Sequence, residues 1–148
     1  MTAFFDTSAL LKIYVDEPGS QVVRRLATST PLAVSELAYV EARAAFARRR
    51  REQSSHGDQL DRAVQFFEGH WASLGVVRIR VEVVRTAAAL CDAHPLRAGD
   101  ALQLASALEL HSLGVAVTFV GSDQRLLLAA AAEGLAVLDP EARTGTVG

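Results

Sequence analysis

Short apolar runs alternate along the chain with longer stretches in which apolar residues recur at helical spacing. Residues 3–5 are apolar, Asp6 is followed by two more residues of helix-capping type, and residues 9–15 continue at helical spacing. This order predicts a strand that ends at Asp6 and a helix that begins there. The run 115–120 is rich in β-branched residues and leads to Asp123 and a helical stretch. The same strand-to-helix junction is therefore predicted a second time.

The rest of the pattern continues this alternation. Helical periodicity predicts further helices over residues 21–26, 35–51, 60–68 and 81–92 and from Asp100 onward. Two more strands are predicted over 76–79 and 135–138. We find no internal repeat and no long linker. We therefore predict one α/β domain over residues 1–140, a three-layer sandwich with a mainly parallel central sheet and helices on both faces. A flexible tail at 141–148 is expected to follow it.

Four acidic residues fall at positions where a charge is unexpected. Asp6 and Asp123 each follow a predicted strand, and open parallel sheets bind their ligands at the carboxyl edge. At about 100° per residue, Glu41 projects with apolar neighbours, whereas Glu36 projects about 140° away from it. Asp100 begins the apolar stripe of its own helix, which continues through Leu104, Ala107, Leu108 and His111. The pattern predicts that Asp6, Glu41, Asp100 and Asp123 share one site.

Each acid alone has a simpler explanation. An aspartate before an apolar helical run is most often only a helix N-cap, and this applies to Asp6, Asp100 and Asp123. Glu41 lies in mid-helix, where a buried carboxylate without a partner either destabilises the fold or becomes protonated. The chain has a single lysine, Lys12, and its densest arginine run lies elsewhere in the sequence. The set of four therefore favours an external divalent cation as the partner.

At four places the sequence resembles the PIN-domain nucleases, and among them the VapC-type toxins of bacterial toxin–antitoxin pairs. The similar pieces follow in order over nearly the whole chain, at residues 5–12, 34–45, 96–107 and 118–127. The resemblance implies an Mg²⁺- or Mn²⁺-dependent ribonuclease whose catalytic residues and metal ligands are Asp6, Glu41, Asp100 and Asp123. It also implies hydroxyl helpers at Ser8 and Ser122, a homodimer, and inhibition by a cognate antitoxin. The family often has a histidine where this chain has Gln103.

Other carboxylate-rich α/β classes fit the sequence less well. A haloacid-dehalogenase-type phosphatase needs a second aspartate two residues after the first, where this chain has Ser8. A response-regulator receiver needs a late lysine, and Lys12 comes early. Two alternatives stay open, a PIN-like RNA-processing nuclease outside any toxin–antitoxin pair and a non-enzymatic PIN-like binding module.

Charge adds one candidate contact to RNA. The 148 residues carry a formal net charge of −2 at pH 7, and the dense basic run Arg48 to Arg51 ends the Glu41 helix. This run is either a solvated helix end or a phosphate clamp. In the second case Arg48 and Arg51 bind RNA, because they lie near the Glu41 azimuth and about 11 Å along the helix.

The remaining features indicate no further chemistry. Cys91, the single cysteine, falls on an apolar stripe with Val81, Val84 and Ala88, so it is predicted to be a buried, unreactive thiol. The four histidines show no metal-ligand spacing. Since the sequence contains no leader-like segment and no apolar run of about 20 residues, we expect a cytoplasmic protein without membrane contact.

Overall fold

The computed structural model describes residues 1–142, so most of the predicted tail, 143–148, lies outside the described residues. The strands are β1 (Thr2–Phe5), β2 (Leu32–Ser35), β3 (Gly75–Val77), β4 (Val117–Val120) and β5 (Ala136–Leu138). The helices are α1 (Thr7–Tyr14), α2 (Ser20–Ser29), α3 (Leu37–Glu52), α4 (Gly57–Trp71), α5 (Val81–Ala93), α6 (Ala98–Ser112) and α7 (Gln124–Ala132). Within this part of the chain, no helix has both the length and the apolarity of a membrane span.

The five strands form one parallel sheet in the order β3-β2-β1-β4-β5. The central strand β1 pairs on both sides, and its Phe5 is in register with Val34 of β2 and Val120 of β4. The chain runs outward from β1 to β3 and then returns to add β4 on the other side of β1. This reversal places the carboxyl ends of β1 and β4 side by side, which is where doubly wound sheets form clefts.

Two apolar cores, one on each face of the sheet, produce the three layers. Side chains alternate between the faces along a strand, so Phe4 packs in one core and Phe5 in the other. The Phe4 ring stacks on Phe119 with centroids 5.6 Å apart. Helices α5, α6 and α7 cover this core, and α1 to α4 cover the opposite one around Phe67. The predicted α/β sandwich is confirmed, and the described sheet is parallel throughout.

At one strand pairing, two predicted element boundaries are wrong. The helix predicted from residue 35 begins at Leu37, because Ser35 belongs to β2 and pairs with Val77. The Glu36 amide also donates to the Val77 carbonyl at 2.9 Å. Strand β3 stops at Val77, and the Ile79 amide donates to Glu36 Oε2 at 3.0 Å instead of continuing the sheet. Pairing between distant segments decides these boundaries, and local periodicity does not record it.

The predicted burial of Cys91 is wrong. Helix α5 buries the neighbouring stripe, Val83, Ala87 and Leu90, and leaves Cys91 exposed. The stripe chosen from sequence faces outward, with Val81 60% and Val84 49% exposed. Both stripes are apolar, so composition alone did not show which one packs against α6. His111, at the end of the stripe predicted for α6, is exposed for a similar reason, since that helix buries mainly its first half.

Candidate active site

Asp6 is a buried carboxylate at the junction of β1 and α1. Its Oδ1 atom accepts hydrogen bonds from the Ala9 amide at 2.9 Å and from Ser8 Oγ at 2.7 Å, so it caps the helix as predicted. Only 6% of the residue is exposed. Burial raises the pKa of the Asp6 carboxyl to about 6, and the charge of Asp100 adds to this rise while both hydrogen bonds and Lys12 oppose it. The predicted helper Ser8 therefore acts on Asp6.

Gly121 packs directly against the Asp6 carboxylate. A Cβ atom at position 121 would lie 2.5 Å from Asp6 Oδ2 and 2.9 Å from Asp6 Cγ. Such distances are not tolerated, so the side chain of Asp6 occupies its present position only because residue 121 has none. The first residue after β4 thus makes room for the acid that follows β1.

Glu41 is held by a hydrogen-bond network that joins three helices. Thr7 Oγ1 donates to Glu41 Oε1 at 2.7 Å, and Gln103 Nε2 donates to the same oxygen at 2.8 Å and to Thr7 Oγ1 at 2.9 Å. Gln103 is 2% exposed, and its Oε1 atom has no hydrogen-bond partner within residues 1–142. Sequence reasoning missed Thr7 and left the role of Gln103 open. The available signal was a polar residue inside an apolar helix, three positions after Asp100.

Asp100 and Asp123 line a second part of the site, a cleft of about 410 Å³. Asp100 lies in the first turn of α6, and Asp123 caps α7 by accepting from the amides of Arg125 at 2.9 Å and Leu126 at 3.2 Å. Burial raises the pKa of Asp100, the charges of Asp123 and Glu41 raise it further, and the charge of Arg97 lowers it. Asp100 therefore interacts electrostatically with all three of the other acids.

The four predicted acids lie in one region, although they do not yet form a closed metal site. As their side chains are placed, no three histidine, cysteine or acidic groups in residues 1–142 converge closely enough to hold an ion. The donor set nevertheless fits a hard divalent cation, because it consists of carboxylate oxygens whose mutual repulsion a cation would relieve. Glu36 points elsewhere and is exposed, as predicted.

The other predicted contacts lie outside this cleft or have no visible partner. Ser122 Oγ is buried without a hydrogen-bond partner in the described chain. Arg48 and Arg51 are exposed, whereas the arginines between them pair with Glu17 and Asp61. Another cavity, of about 610 Å³, lies at the carboxyl end of α1 and is lined by none of the four acids. Two of the four acids, Asp100 and Asp123, line the smaller cleft instead.

The comparisons with known proteins place the chain in a family. A family model for the PIN domain matches residues 3–133. The chain belongs to the PIN-domain family. Ribonuclease VapC45 (Mycobacterium tuberculosis strain CDC 1551 / Oshkosh) and Ribonuclease VapC49 (strain ATCC 25618 / H37Rv) are each 37% identical to it, in an alignment of 142 positions that covers 93% of this chain and 97% of each relative. These matches confirm the predicted resemblance to VapC-type PIN proteins.

Solved structures share the fold of the chain at low sequence identity. A toxin–antitoxin complex from Klebsiella pneumoniae superimposes with a TM-score of 0.64 at 19% identity, covering 93% of this chain and 97% of that chain. VapC20 of Mycobacterium tuberculosis, described as a sarcin–ricin loop cleaving toxin, gives 0.62 at 16% identity over 95% of this chain and 98% of that one. VapBC2 from Rickettsia felis, bound to a promoter DNA fragment, gives 0.64 at 12% identity over 94% and 98%.

Proposed function

We propose that the chain is a metal-dependent endoribonuclease toxin that hydrolyses RNA phosphodiester bonds and is inhibited by a cognate antitoxin. The observation that carries this proposal is that Asp6, Glu41, Asp100 and Asp123, four acids from four separate segments, lie in one region of a PIN fold. The 37% identity to two ribonucleases over nearly the whole chain supports the choice of RNA as substrate. A non-enzymatic binding module would not need this set of acids.

In this proposal the four acids hold Mg²⁺ or Mn²⁺. When bound, such an ion lowers the pKa of a water molecule and stabilises the charge on a leaving oxygen. The chain itself fixes the carboxylates before binding. Ser8 and the Ala9 amide orient Asp6, and Thr7 and Gln103 orient Glu41. Burial, and to a lesser extent the neighbouring carboxylates, raise the pKa of Asp6 and of Asp100, and this supports a cation as their partner.

Four further features belong to the same proposal. By family resemblance, cleavage leaves a 5′-phosphate and a 3′-hydroxyl, and the protein acts in the cytoplasm as a homodimer. The basic residues Arg48 and Arg51 are free to contact RNA beyond the cleft, since both are exposed.

Incubating the purified protein with a panel of structured RNAs tests the activity. We expect cleavage with Mg²⁺ or Mn²⁺ and none with a chelator.

Expression in cells tests the biological role, since the chain alone should arrest growth and co-expression of an adjacent small gene product should restore it. Cleavage without growth arrest, and without a binding partner from an adjacent gene, would favour an RNA-processing nuclease. Absence of cleavage throughout the panel would contradict the proposal.

A further inference from the structure

Two arginines share the cleft with the acids. The same cavity of about 410 Å³ that is lined by Asp100 and Asp123 is also lined by Arg97 and Arg125. Arg97 immediately precedes α6, and Arg125 lies in the first turn of α7. The two basic side chains therefore come from the same two helix starts as the two acids. Neither arginine belongs to the dense basic run Arg48 to Arg51.

These arginines are not used in ion pairs within the described chain. No carboxylate in residues 1–142 lies within 4.0 Å of the guanidinium group of Arg97 or Arg125, and both residues are exposed. By contrast, carboxylates are paired with five other arginines, namely Arg24, Arg43, Arg49, Arg50 and Arg80. Arg97 is close enough to Asp100 for its charge to act on that carboxyl. The two guanidinium groups are thus available to a ligand inside the cleft.

A polyanionic substrate requires such groups beside the acids. Four carboxylates repel the RNA backbone, and this repulsion has to be offset where the scissile phosphate enters. A guanidinium group carries a permanent positive charge and donors in a planar fork that match phosphate oxygens in a bidentate manner. The cleft also lies in the size range of small-ligand sites, roughly 300–1,000 Å³.

We infer that Arg97 and Arg125 form a phosphate-binding subsite for the RNA backbone in the cleft of Asp100 and Asp123. This inference rests on the proposed ribonuclease function and names how the substrate is held. It differs from the clamp predicted at Arg48 and Arg51, which do not line this cleft. The subsite would position the backbone next to the carboxylates, and it would act in the absence of metal.

Equilibrium binding of a short fluorescein-labelled single-stranded RNA tests the subsite. Anisotropy is measured in EDTA over a series of NaCl concentrations, in an Asp6→Asn background that prevents cleavage. We expect Arg97→Gln and Arg125→Gln each to weaken binding about tenfold and to reduce the slope of log K against log[salt] by about 0.7. Arg97→Lys should keep the slope and still weaken binding, because it retains the charge and loses the fork.

The matched control is Arg25→Gln, which removes an exposed arginine of α2 outside the cleft. It should change neither affinity nor slope. Unchanged RNA binding by both cleft variants, with the loss appearing instead in Arg48→Gln and Arg51→Gln, would overturn the inference and leave the ribonuclease proposal intact. Loss of antitoxin binding with RNA binding intact would also overturn it, in favour of a carboxylate of the antitoxin. A parent chain that neither binds nor cleaves RNA would refute the ribonuclease proposal itself.

Discussion

Asp6 places a negative charge where the fold excludes water, and this makes the stability of the protein depend on pH. Burial raises its carboxyl pKa from 3.8 to about 6 in the folded chain. Between these two values the folded state binds more protons than the unfolded state. Stability from this residue is therefore highest at low pH, falls as the pH rises through the interval between the two pKa values, and levels off above the folded value.

The substitution Asp6→Asn should remove this dependence. Asparagine keeps the capping acceptor and carries no charge, so the metal-free variant should be more stable than the parent near neutral pH by on the order of 2–3 kcal/mol. Below the pKa of the carboxyl in the unfolded chain, the two proteins should have nearly equal free energies of unfolding. Denaturant titrations in EDTA, one series near neutral pH and one below that pKa, measure the difference. Asp123→Asn, at an exposed N-cap, is the control and should have little effect at either pH. A gain from Asp6→Asn that is the same at both pH values would contradict the burial argument.

Gly121 should be intolerant of even the smallest side chain. Its φ angle is not in the left-handed region, so Gly121→Ala does not strain the backbone and acts only through the contact with Asp6. We expect Gly121→Ala to lower the melting temperature when Asp6 is present. In an Asp6→Ala background the same substitution should not lower it, because the double variant has no carboxylate to displace. Gly99→Ala is the matched control, since its Cβ would lie 3.5 Å from Glu41 Oε2. Additive effects of the two substitutions would show that Gly121 does not act through Asp6.

For single residues, the sequence predicted the four acids but not the residues that hold them in place. Asp6 and Asp123 were recognisable because each is of a helix-capping residue type and follows a strand by no more than three residues. The bond from Gln103 to Thr7 joins residues 96 positions apart, and no local pattern predicts such a contact. Gly121 makes its contact across two neighbouring strands, which becomes visible only when β1 and β4 are paired.

Between elements, one acid connects α1 to α3. Glu17, in the turn after α1, contacts Lys12 of α1 at 3.3 Å and Arg49 of α3 at 2.8 Å. The Lys12 side chain is only 6% exposed. Glu141, the first residue of the predicted tail, lies 3.8 Å from the same ammonium group. Glu17 is therefore the closest counter-charge of a buried lysine.

Replacing Glu17 by glutamine should weaken the protein measurably. The variant leaves the Lys12 charge with a more distant partner, and we expect a loss of about 2–3 kcal/mol in the free energy of unfolding. Asp16→Asn is the control, because Asp16 is 90% exposed in its pair with Arg24 and such pairs contribute about 0–1 kcal/mol. Urea denaturation of both variants measures this. Equal losses would mean that burial of Lys12 does not matter.

Elements with a terminal signal could be predicted from the sequence, and packing faces could not. The helices after Asp6 and Asp123 begin where their caps indicated. The strand β2 has only four residues. It was not predicted, because its last residue was assigned to the following helix. For α5, two adjacent stripes are both apolar, and contact with α6 selects the one through Val83 and Leu90. The partner helix decides which face is buried, and the periodicity of α5 alone does not record where that helix packs.

In the whole molecule, the four acids come together because the order in which strands are added to the sheet reverses at β1. This topology brings together the segments after β1 and β4, the middle of α3 and the start of α6. The acids come from positions 6, 41, 100 and 123, so almost the full length of the chain is needed to assemble them. The alternation of strands and helices was enough to predict the parallel sheet, and the sheet was enough to predict a shared edge.

The most direct measurement of the central claim compares two glutamates of one segment. RNA cleavage rates are measured in Mn²⁺ for Glu41→Gln and Glu36→Gln, together with Asp6→Asn, Asp100→Asn and Asp123→Asn. The account predicts a loss of at least about 100-fold for Glu41→Gln and for each aspartate variant. Glu36→Gln should retain nearly full activity, because Glu36 faces away and its contact with the Ile79 amide survives in glutamine. Equal losses from Glu36→Gln and Glu41→Gln would contradict a single site built from these four acids.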